Sequence, residues 1–359
     1  MSKWLQNSDF FNPNGVVRLA ELFCGAGGIG LGAALAETDG LNIEHIWATD
    51  YDQDACDTYQ QNLKPQAVIC EDIRKLDLVK LRKKYGDIDC LTFGFPCNDF
   101  SCVGEQKGLR GIFGVLYEYC AIALRIFKPK YFIAENVSGL RNANDGKAFS
   151  SVLDAFGAVG YTLYPNLYCF ESYGVPQKRH RVIIVGVRND VEIKFAVPSN
   201  KPFAIIDNSV KTALADIPDD AANNELTAQS PIVVERLKHI KEGENAFTAN
   251  LPPELRLNVK GAKISQIYKR LKSGEPAYTI TGSGGGGTHV YHFRENRALT
   301  NRERARLQTF PDDFVFSGSK ESIRKQIGMA VPPQGMKIIF EALLNCIAGN
   351  RYETIEAKI

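Results

Sequence analysis

The 359-residue sequence has no long apolar run, no large excess of charge of one sign and no internal repeat. No segment is apolar over the length that a membrane-spanning helix needs, so we predict no membrane partner. The first residues lack the basic-then-apolar pattern of a secretory signal peptide. With 43 basic and 41 acidic residues, the composition excludes a histone-like polycation but leaves open a basic patch on one face.

The nine cysteines are an odd number, and none of them have the spacing of zinc ligands. We therefore predict free thiols, no metal site and a location in a reducing cytoplasm. Eight of the nine cysteines are interpreted as small buried hydrophobic residues. The exception is Cys97.

Cys97 follows a strand-like apolar stretch and comes directly after Pro96. Proline fixes the backbone at this point, so the thiol leaves the end of the strand in a defined direction. No second cysteine forms a Cys-x-x-Cys pair with it, and a nucleophile is the favoured interpretation. The alternative is one more small buried hydrophobic residue.

Strand and helix patterns alternate through the first half of the chain. Apolar segments such as 16–23, 43–49 and 90–93 are separated by helical spacing. This alternation predicts an α/β fold with a doubly wound, mostly parallel sheet. After about residue 190 prolines interrupt the pattern, and we expect a smaller, loop-rich second domain there.

A glycine-rich turn at residues 23–28 follows the first predicted strand and opens the first helix. Three glycines have the spacing that lets a nucleotide-like ligand approach the backbone: Gly25, Gly27 and Gly30. Asp50, at the end of the next strand, is placed to accept hydrogen bonds from ribose hydroxyls. Asp72 offers an acceptor for an adenine amino group, or else caps a helix. The pattern fits a nicotinamide dinucleotide or S-adenosylmethionine.

Two further polar features are predicted at the same sheet edge as Cys97. Glu135 follows a strand-like segment, and in a parallel sheet its carboxylate would project beside Cys97. Burying an acid next to a thiol is costly unless the acid has a partner or a task. The basic run 177–181 precedes another apolar strand, so at least one arginine is expected in the same crevice. A thiol, a protonated carboxyl group and an arginine together suit addition to an electron-poor ring.

These motifs, with two blocks near the C-terminus, occur in the order found in one family. The blocks span residues 18 to 340 and comprise 23–28, 94–101, 135–137, 177–181, 299–311 and 326–333. In them the chain closely resembles the DNA cytosine-5 methyltransferases of bacterial restriction-modification systems. The resemblance implies a Rossmann-like, S-adenosylmethionine-dependent methyltransferase fold with a smaller, loop-rich target-recognition domain.

The resemblance also implies the reaction. A cytosine would be flipped out of double-stranded DNA, and the Cys97 thiolate would attack its C6 atom. Glu135 would hold a proton on N3, while Arg181 and also Arg179 would orient the base. C5 would take the methyl group of S-adenosylmethionine, leaving S-adenosylhomocysteine, then lose its proton and release Cys97.

The same resemblance implies two sets of binding residues. The cofactor would be bound by Phe23, Gly25, Ala26, Gly27, Gly28, Asp50, Tyr51, Asp72, Ile73, Pro96, Met329 and Ala330. DNA would be contacted by Ser101, Gln177, Gly284, Gly285, Gly286, Gly287 and Thr288. The glycine run at 284–287 is also compatible with a flexible linker.

The implied domain organisation is discontinuous. A catalytic, cofactor-binding domain is expected over residues 1–189, completed by 322–359. A target-recognition domain with a hinge is expected over 190–321. We expect a metal-free monomer in the bacterial cytoplasm that protects DNA from a cognate restriction endonuclease.

Two positions depart from the family pattern, and two alternatives stay open. Met329 stands where the family usually has asparagine, and Phe113 where an arginine is common. A tRNA cytosine-5 methyltransferase of the same family typically has threonine at the position of Ser101. A catalytically silent DNA-binding protein is the second alternative, and it would leave Cys97 and Glu135 without a role. A nicotinamide-dependent oxidoreductase would leave both unexplained as well.

Overall fold

The computed structural model describes residues 15–95, 116–258 and 265–359. The chain divides into two compact units. Unit 1 contains the described residues up to Cys169, together with His180–Asn200 and Gly335–Ile359. Unit 2 contains Phe170–Arg179 and Lys201–Gln334. Residues 322–334, expected in the catalytic domain, thus pack within unit 2, and the predicted division of functions stays a prediction.

Unit 1 is built on one seven-stranded sheet. Its strands are β1 (Val16–Leu22), β2 (Asn42–Asp50), β3 (Ala67–Cys70), β4 (Cys90–Gly94), β5 (Tyr131–Val137), β6 (Tyr161–Cys169) and β7 (His180–Arg188). Their spatial order is β3-β2-β1-β4-β5-β7-β6. The first five strands pair in parallel, and β7 runs antiparallel to both β5 and β6. The predicted α/β fold with a mostly parallel sheet is confirmed.

Helices connect the parallel strands, as a parallel sheet requires. They are α1 (Gly28–Ala34), α2 (Gln53–Leu63), α3 (Leu78–Tyr85), α4 (Leu116–Phe127) and α5 (Lys147–Gly157). Side chains of Asp52 and Asp77 accept hydrogen bonds from the first turns of α2 and α3, which satisfies donors at those helix ends. A short antiparallel pair, β8 (Val197–Pro198) with β9 (Thr354–Ile355), completes the strands.

The remaining helices are short except the last. They are α6 (Val210–Ala213), α7 (Pro231–Lys238), α8 (Asn301–Leu307), α9 (Lys320–Met329) and α10 (Pro333–Ala348). Thr300 and Glu303 form a capping box at the start of α8, in which each side chain accepts from the other's backbone amide. No helix in the described part of the chain combines the length and apolarity that crossing a membrane requires.

An aromatic cluster fills the core of unit 1 beneath the sheet. The rings of Phe93, Phe132 and Phe156 have centroids 5.4 to 5.6 Å apart. Gly186 on β7 lies opposite Phe132 on β5, and a Cβ at Gly186 would come 1.9 Å from the Phe132 ring. Each fully buried phenylalanine contributes about 1.5–3 kcal/mol through apolar burial. This packing fixes the strands whose ends form the site described below.

Unit 2 depends on buried arginines as well as on apolar packing. The Arg302 guanidinium donates hydrogen bonds to three backbone carbonyls, those of Ala222, Pro311 and Phe314. Arg270 likewise donates to the carbonyls of Leu237, His292 and Glu295. None of the strands β1 to β9 lies in the described residues of unit 2. Arginine side chains there donate hydrogen bonds to backbone carbonyls, as neighbouring strands do in a sheet.

Candidate active site

The ends of β4 and β5 bring Glu135 close to the segment that leads into Cys97. Gly94, the last residue of β4, pairs with Glu135 on β5. A Cβ at Gly94 would come 3.1 Å from Glu135 Oε2, so glycine leaves room for the carboxylate. Pro96 and Cys97 follow two and three positions later in the sequence and lie outside the described residues.

Arg181 contacts Glu135 directly. Its Nε donates to Glu135 Oε1 at 2.8 Å, and both side chains are 12% exposed. The antiparallel register of β5 and β7 produces this contact, because Arg181 pairs with Val137, two residues beyond Glu135. A charge-assisted hydrogen bond with restricted water access holds both groups in a fixed geometry. The structure thus brings these two residues together, and their catalytic roles stay a prediction.

Arg179 lies in unit 2 and is 1% exposed. Its guanidinium donates to the carbonyl of Ile280 at 3.0 Å and to that of Gly328 at 3.0 Å, with a longer contact to Met329. These bonds favour a structural role within unit 2. The base-orienting role predicted for Arg179 gains no support from them.

Asn136, which sequence reasoning did not single out, fixes the chain just before Pro96. Its Nδ2 donates to the carbonyl of Phe95 at 3.2 Å, and its Oδ1 accepts from the amide of Val137 at 2.9 Å. Asn136 is 2% exposed, so these bonds form out of contact with water. The strand end that carries Glu135 therefore also holds Phe95, the last described residue before Pro96.

The glycine-rich turn has a left-handed backbone at three positions. Gly25 has φ +50°, Gly27 has φ +90° and Phe23 has φ +54°. A Cβ at Gly27 would come 2.8 Å from Leu63 and 3.0 Å from Tyr59, so this position needs glycine for space as well as for conformation. At Gly27 the turn therefore comes too close to α2 for any side chain.

Asp50 is held by the same turn. Its Oδ2 accepts from the amide of Gly25 at 2.9 Å, and its Oδ1 accepts from the amide of Asp52 at 3.0 Å. Burial raises the pKa of the Asp50 carboxyl, while the two amides act in the opposite direction. Each carboxylate oxygen keeps a second lone pair, so Asp50 can still accept a hydrogen bond from a ligand.

A cavity of 220 Å³ opens beside Asp50 in unit 1. Its lining residues are Phe23, Thr49, Asp50, Tyr51, Glu71, Asp72, Ile73, Arg74 and Leu116. Five of them belong to the predicted cofactor set, whereas Thr49, Glu71, Arg74 and Leu116 were not predicted. The predicted Gly25, Ala26, Gly27 and Gly28 form the neighbouring turn and α1, and Met329 and Ala330 lie at the end of α9 in unit 2.

The polar groups of this cavity fit a nucleoside-like ligand. Thr49 Oγ1 is buried and has no hydrogen-bond partner among the described residues, so it is available to a ligand. Arg74 Nε donates to Asp72 Oδ1 at 2.9 Å, and this bond lowers the pKa of the Asp72 carboxyl to about 2. Asp72 is thus an ionised acceptor at neutral pH. Phe23 and Ile73 supply apolar surface for a planar base.

A buried acid lies behind the glycine-rich turn. Glu21 on β1 is 1% exposed, and its Oε2 accepts from the Tyr59 hydroxyl at 3.0 Å. Burial raises the pKa of the Glu21 carboxyl to about 8, against the opposing effects of Tyr59 and the Gly30 amide. A Cβ at Gly30 would come 2.6 Å from the Tyr59 hydroxyl. Gly30 therefore makes room for this contact.

The residues predicted to contact DNA have different environments. Gln177 is fully buried, and its amide is used inside unit 2: Nε2 donates to Gln308 Oε1 at 3.0 Å, and Oε1 accepts from the amide of Ile280 at 2.8 Å. These bonds favour a structural role for Gln177. In the glycine run, Gly285 and Thr288 are exposed, and a short 3₁₀ turn covers Gly286–Thr288. Ser101 and Phe113 lie outside the described residues.

Comparisons with known proteins agree with the site's chemistry. The model of the family described as C-5 cytosine-specific DNA methylase matches residues 17–345. The type II methyltransferase M.BbvI of Brevibacillus brevis is 54% identical over 353 residues, which cover 95% of this chain and 94% of that protein. M.NgoFVII of Neisseria gonorrhoeae, another type II methyltransferase, is 40% identical, with 98% and 92% covered.

Solved structures agree on the fold alone. A prophage-encoded Escherichia coli protein assigned as a DNA modification methyltransferase superposes with a TM-score of 0.72, at 24% identity and with 92% of this chain and 99% of that chain covered. The S. pombe Dnmt2 methyltransferase gives a TM-score of 0.63 at 15% identity, covering 93% and 99%. On the family match and the two close relatives, this chain belongs to the C-5 cytosine-specific DNA methylases.

Proposed function

We propose that this chain methylates C5 of a cytosine within a short, specific sequence of double-stranded DNA, and that this protects the DNA from a cognate restriction endonuclease. The Glu135–Arg181 contact beside the strand that leads into Pro96-Cys97 carries the proposal. The type II methyltransferases M.BbvI and M.NgoFVII support the restriction-modification role. They do not favour a tRNA substrate or a catalytically silent DNA-binding protein.

In this mechanism the target cytosine leaves the DNA stack, because its ring cannot be reached inside the duplex. The Cys97 thiolate forms a bond to C6 while the C5–C6 double bond opens toward C5. Glu135 holds a proton at N3, so that negative charge does not accumulate on the ring. Arg181 keeps the Glu135 carboxyl in position through its 2.8 Å hydrogen bond. After C5 has received the methyl group it loses its proton, the S–C6 bond breaks and the double bond is restored.

S-adenosylmethionine supplies the electrophilic methyl group when it is bound. The 220 Å³ cavity of unit 1 would hold it through Asp50, Thr49 and Asp72, with Phe23 and Ile73 against its base. Catalysis and cofactor binding are accordingly assigned to unit 1, and target recognition to unit 2. A monomer active in the bacterial cytoplasm without a metal ion completes the proposal. Activity in the presence of a chelator tests whether the reaction needs a metal ion. Gel filtration of the pure protein tests whether it is a monomer.

The decisive experiment uses a DNA duplex in which 5-fluorocytosine replaces cytosine, with labelled S-adenosylmethionine. Fluorine cannot leave C5 as a proton does, so we expect a covalent protein–DNA adduct that survives denaturation. Cys97→Ala is expected to abolish both adduct and methylation while S-adenosylmethionine binding persists. Cys346→Ala, which removes a half-buried thiol of α10, serves as the matched control and should keep full activity.

Two outcomes would contradict the proposal. An adduct with tRNA but with no duplex of any sequence would replace DNA as the substrate. Methylation by the Cys97→Ala variant would remove Cys97 as the nucleophile. Sequencing for 5-methylcytosine in DNA from cells that express the protein then gives the target sequence.

A further inference from the structure

The segment that enters the glycine run packs directly on helix α9 within unit 2. A Cβ at Gly328 would come 2.0 Å from the amide nitrogen of Gly282. A Cβ at Gly282 would come 2.9 Å from the carbonyl oxygen of Lys325. The two backbones touch, and no side chain fits between them. The chain that leads into the run at 284–287 is therefore held against α9.

A guanidinium and an imidazole lie under the run at Gly284. A Cβ at Gly284 would come 3.3 Å from Arg324 Nε and 3.6 Å from His289 Nδ1. Arg324 is 13% exposed, and its ion pair with Glu321 is long, at 4.0 Å, with a carboxylate that is 74% exposed. Such a pair adds little to binding or stability. Arg324 therefore points a weakly compensated positive charge at the backbone of the run.

A second arginine lies on α8, the helix that packs against α9. Arg304 on α8 is 1% exposed, and its Nη1 has no hydrogen-bond partner within residues 15–95, 116–258 and 265–359. The same is true of Arg324 Nε. The adjacent acid, Glu303, is already committed to Arg297, to which it binds with both oxygens at 2.7 Å. No hydrogen-bonded carboxylate thus neutralises Arg304 in this part of the chain.

These groups also act on one another electrostatically. Burial, and then the charge of Arg324, lower the pKa of Arg304 to about 10. Burial, followed by the charges of Arg304 and Arg324, lowers the pKa of His289 to about 4. His289 is therefore neutral at pH 7, and the two arginines carry the positive charge.

Keeping two neighbouring cations without acceptors is costly to the fold. Elsewhere in unit 2 the buried arginines have carbonyl partners, as Arg302 does with three of them. Arg270 also has an Nε without an acceptor, but its other nitrogens donate to carbonyls, whereas no side-chain nitrogen of Arg304 or Arg324 donates a hydrogen bond to a described residue. An anionic ligand at the exposed part of the Arg324 side chain would supply the missing negative charge.

We propose that Arg304 and Arg324 form a binding site for a backbone phosphate of DNA at the glycine run. Arg324 would contact a phosphate oxygen beside Gly284. Arg304, buried on α8, would add a second positive charge that solvent screens little. This inference rests on the proposed function, since it takes DNA as the substrate. A phosphate contact fixes register and adds affinity without reading sequence.

The test measures binding of a duplex of unrelated sequence at several salt concentrations. Removing one phosphate contact is expected to lower the slope of log K against log salt by about 0.9. We expect Arg324→Gln to lower the slope by about that amount and to weaken binding several-fold, equally for all sequences. Arg125→Gln, which removes one exposed charge from α4 in unit 1, is the matched control and should leave the slope unchanged.

Arg304→Met separates binding from folding. Methionine fills similar space without charge, so we expect weaker DNA binding together with an unchanged or higher melting temperature. Binding of S-adenosylmethionine should not change in either variant. A lower melting temperature for Arg304→Met with an unchanged salt slope for Arg324→Gln would overturn the site and assign both arginines to the fold. A wild-type protein that binds no duplex would instead overturn the proposed function.

Discussion

Unit 1 and unit 2 satisfy their buried backbone carbonyls in different ways. In unit 1 seven strands pair along a sheet, so most carbonyls are used in the ladder and the interior is left to apolar side chains. In unit 2 loops cross the interior, and arginine side chains such as Arg270 and Arg302 donate to the carbonyls. A guanidinium has five donors in one plane, which suits carbonyls that arrive from several loops.

This difference changes what an arginine signifies in each unit. In unit 1, Arg181 projects from a strand end and pairs with Glu135, at the edge where the chemistry is proposed. In unit 2, Arg179 and Arg302 hold loops together, although their sequence blocks resemble family motifs. Arg304 departs from that pattern because its Nη1 lacks an acceptor and its guanidinium donates to no carbonyl of the described residues. The hydrogen-bond partners of an arginine thus separate structural arginines from candidate functional ones better than sequence motifs do.

The largest predicted effect tests the carbonyl network of unit 2. Arg302→Met keeps the side-chain volume but leaves the carbonyls of Ala222, Pro311 and Phe314 without their donor. Several buried acceptors lose their partner at once, so we expect a loss of about 3–5 kcal/mol in the free energy of unfolding. Urea denaturation followed by far-ultraviolet circular dichroism measures this loss.

A tryptophan probe shows whether the loss stays within unit 2. The sequence has two tryptophans, and Trp47 is buried in unit 1. In a Trp4→Phe background, its fluorescence reports on unit 1 alone. If the Arg302 hydrogen bonds stabilise unit 2 alone, Arg302→Met shifts the circular dichroism transition and leaves the Trp47 transition in place. A common shift of both signals would mean that the units unfold together.

The second prediction concerns Glu21, a buried titratable residue of unit 1. The pKa of its carboxyl is about 8 in the folded protein and about 4.5 when exposed. The folded state therefore binds the proton more tightly, so this contribution to stability is present below pH 4.5 and is lost as pH rises to about 8. The slope is at most about 1.4 kcal/mol per pH unit. Between pH 6 and pH 8 we expect a loss of roughly 2 kcal/mol.

Glu21→Gln removes the titration while keeping the shape of the side chain. Its unfolding free energy should vary less between pH 6 and pH 8 than that of the wild type. Glu44→Gln, at an exposed position of β2, provides a control that should leave the wild-type slope intact. Equal slopes for wild type and Glu21→Gln would show that Glu21 stays ionised in the folded state and that Tyr59 compensates its burial fully.

Much of unit 1 could be predicted from the sequence, since its strands are apolar runs with little ambiguity. Residues 90–93 and 182–187 lie within β4 and β7 as observed. The strand β6 was not predicted, because Pro165 and several polar residues interrupt its apolar pattern. It lies at the edge of the sheet, where a proline without an amide donor is tolerated. Edge position is a tertiary property and leaves no local signal.

The site was predictable where a residue follows a strand directly, and not where distant loops meet. Glu135 and Arg181 come together as expected, because both lie at strand ends whose pairing follows from the sheet. The Arg74 side chain was missed, since its contact with Asp72 depends on a local turn. Gln177 was expected to touch DNA and is buried, because its partners Ile280 and Gln308 lie more than a hundred residues away in sequence.

The smallest predicted effect concerns Asn136, at the end of strand β5 in unit 1. Asn136 donates to the carbonyl of Phe95 and so links the end of β5 to the segment that leads into Cys97. Asn136→Ala leaves that carbonyl without its donor and releases the segment. We expect kcat to fall about tenfold, which is about 1.4 kcal/mol, with the KM for S-adenosylmethionine unchanged because the residue lies outside the cavity.

Asn136→Asp distinguishes positioning from mere packing. Aspartate has nearly the same shape and keeps the acceptor toward the Val137 amide, but it cannot donate to the Phe95 carbonyl at neutral pH. If the hydrogen bond positions the Cys97 segment, Asn136→Asp loses as much activity as Asn136→Ala, and adduct formation with 5-fluorocytosine slows in parallel. Wild-type rates for Asn136→Asp would show that the shape of the side chain alone holds the segment. The end of β5 would then position this site by packing, as apolar contacts do in the core of unit 1.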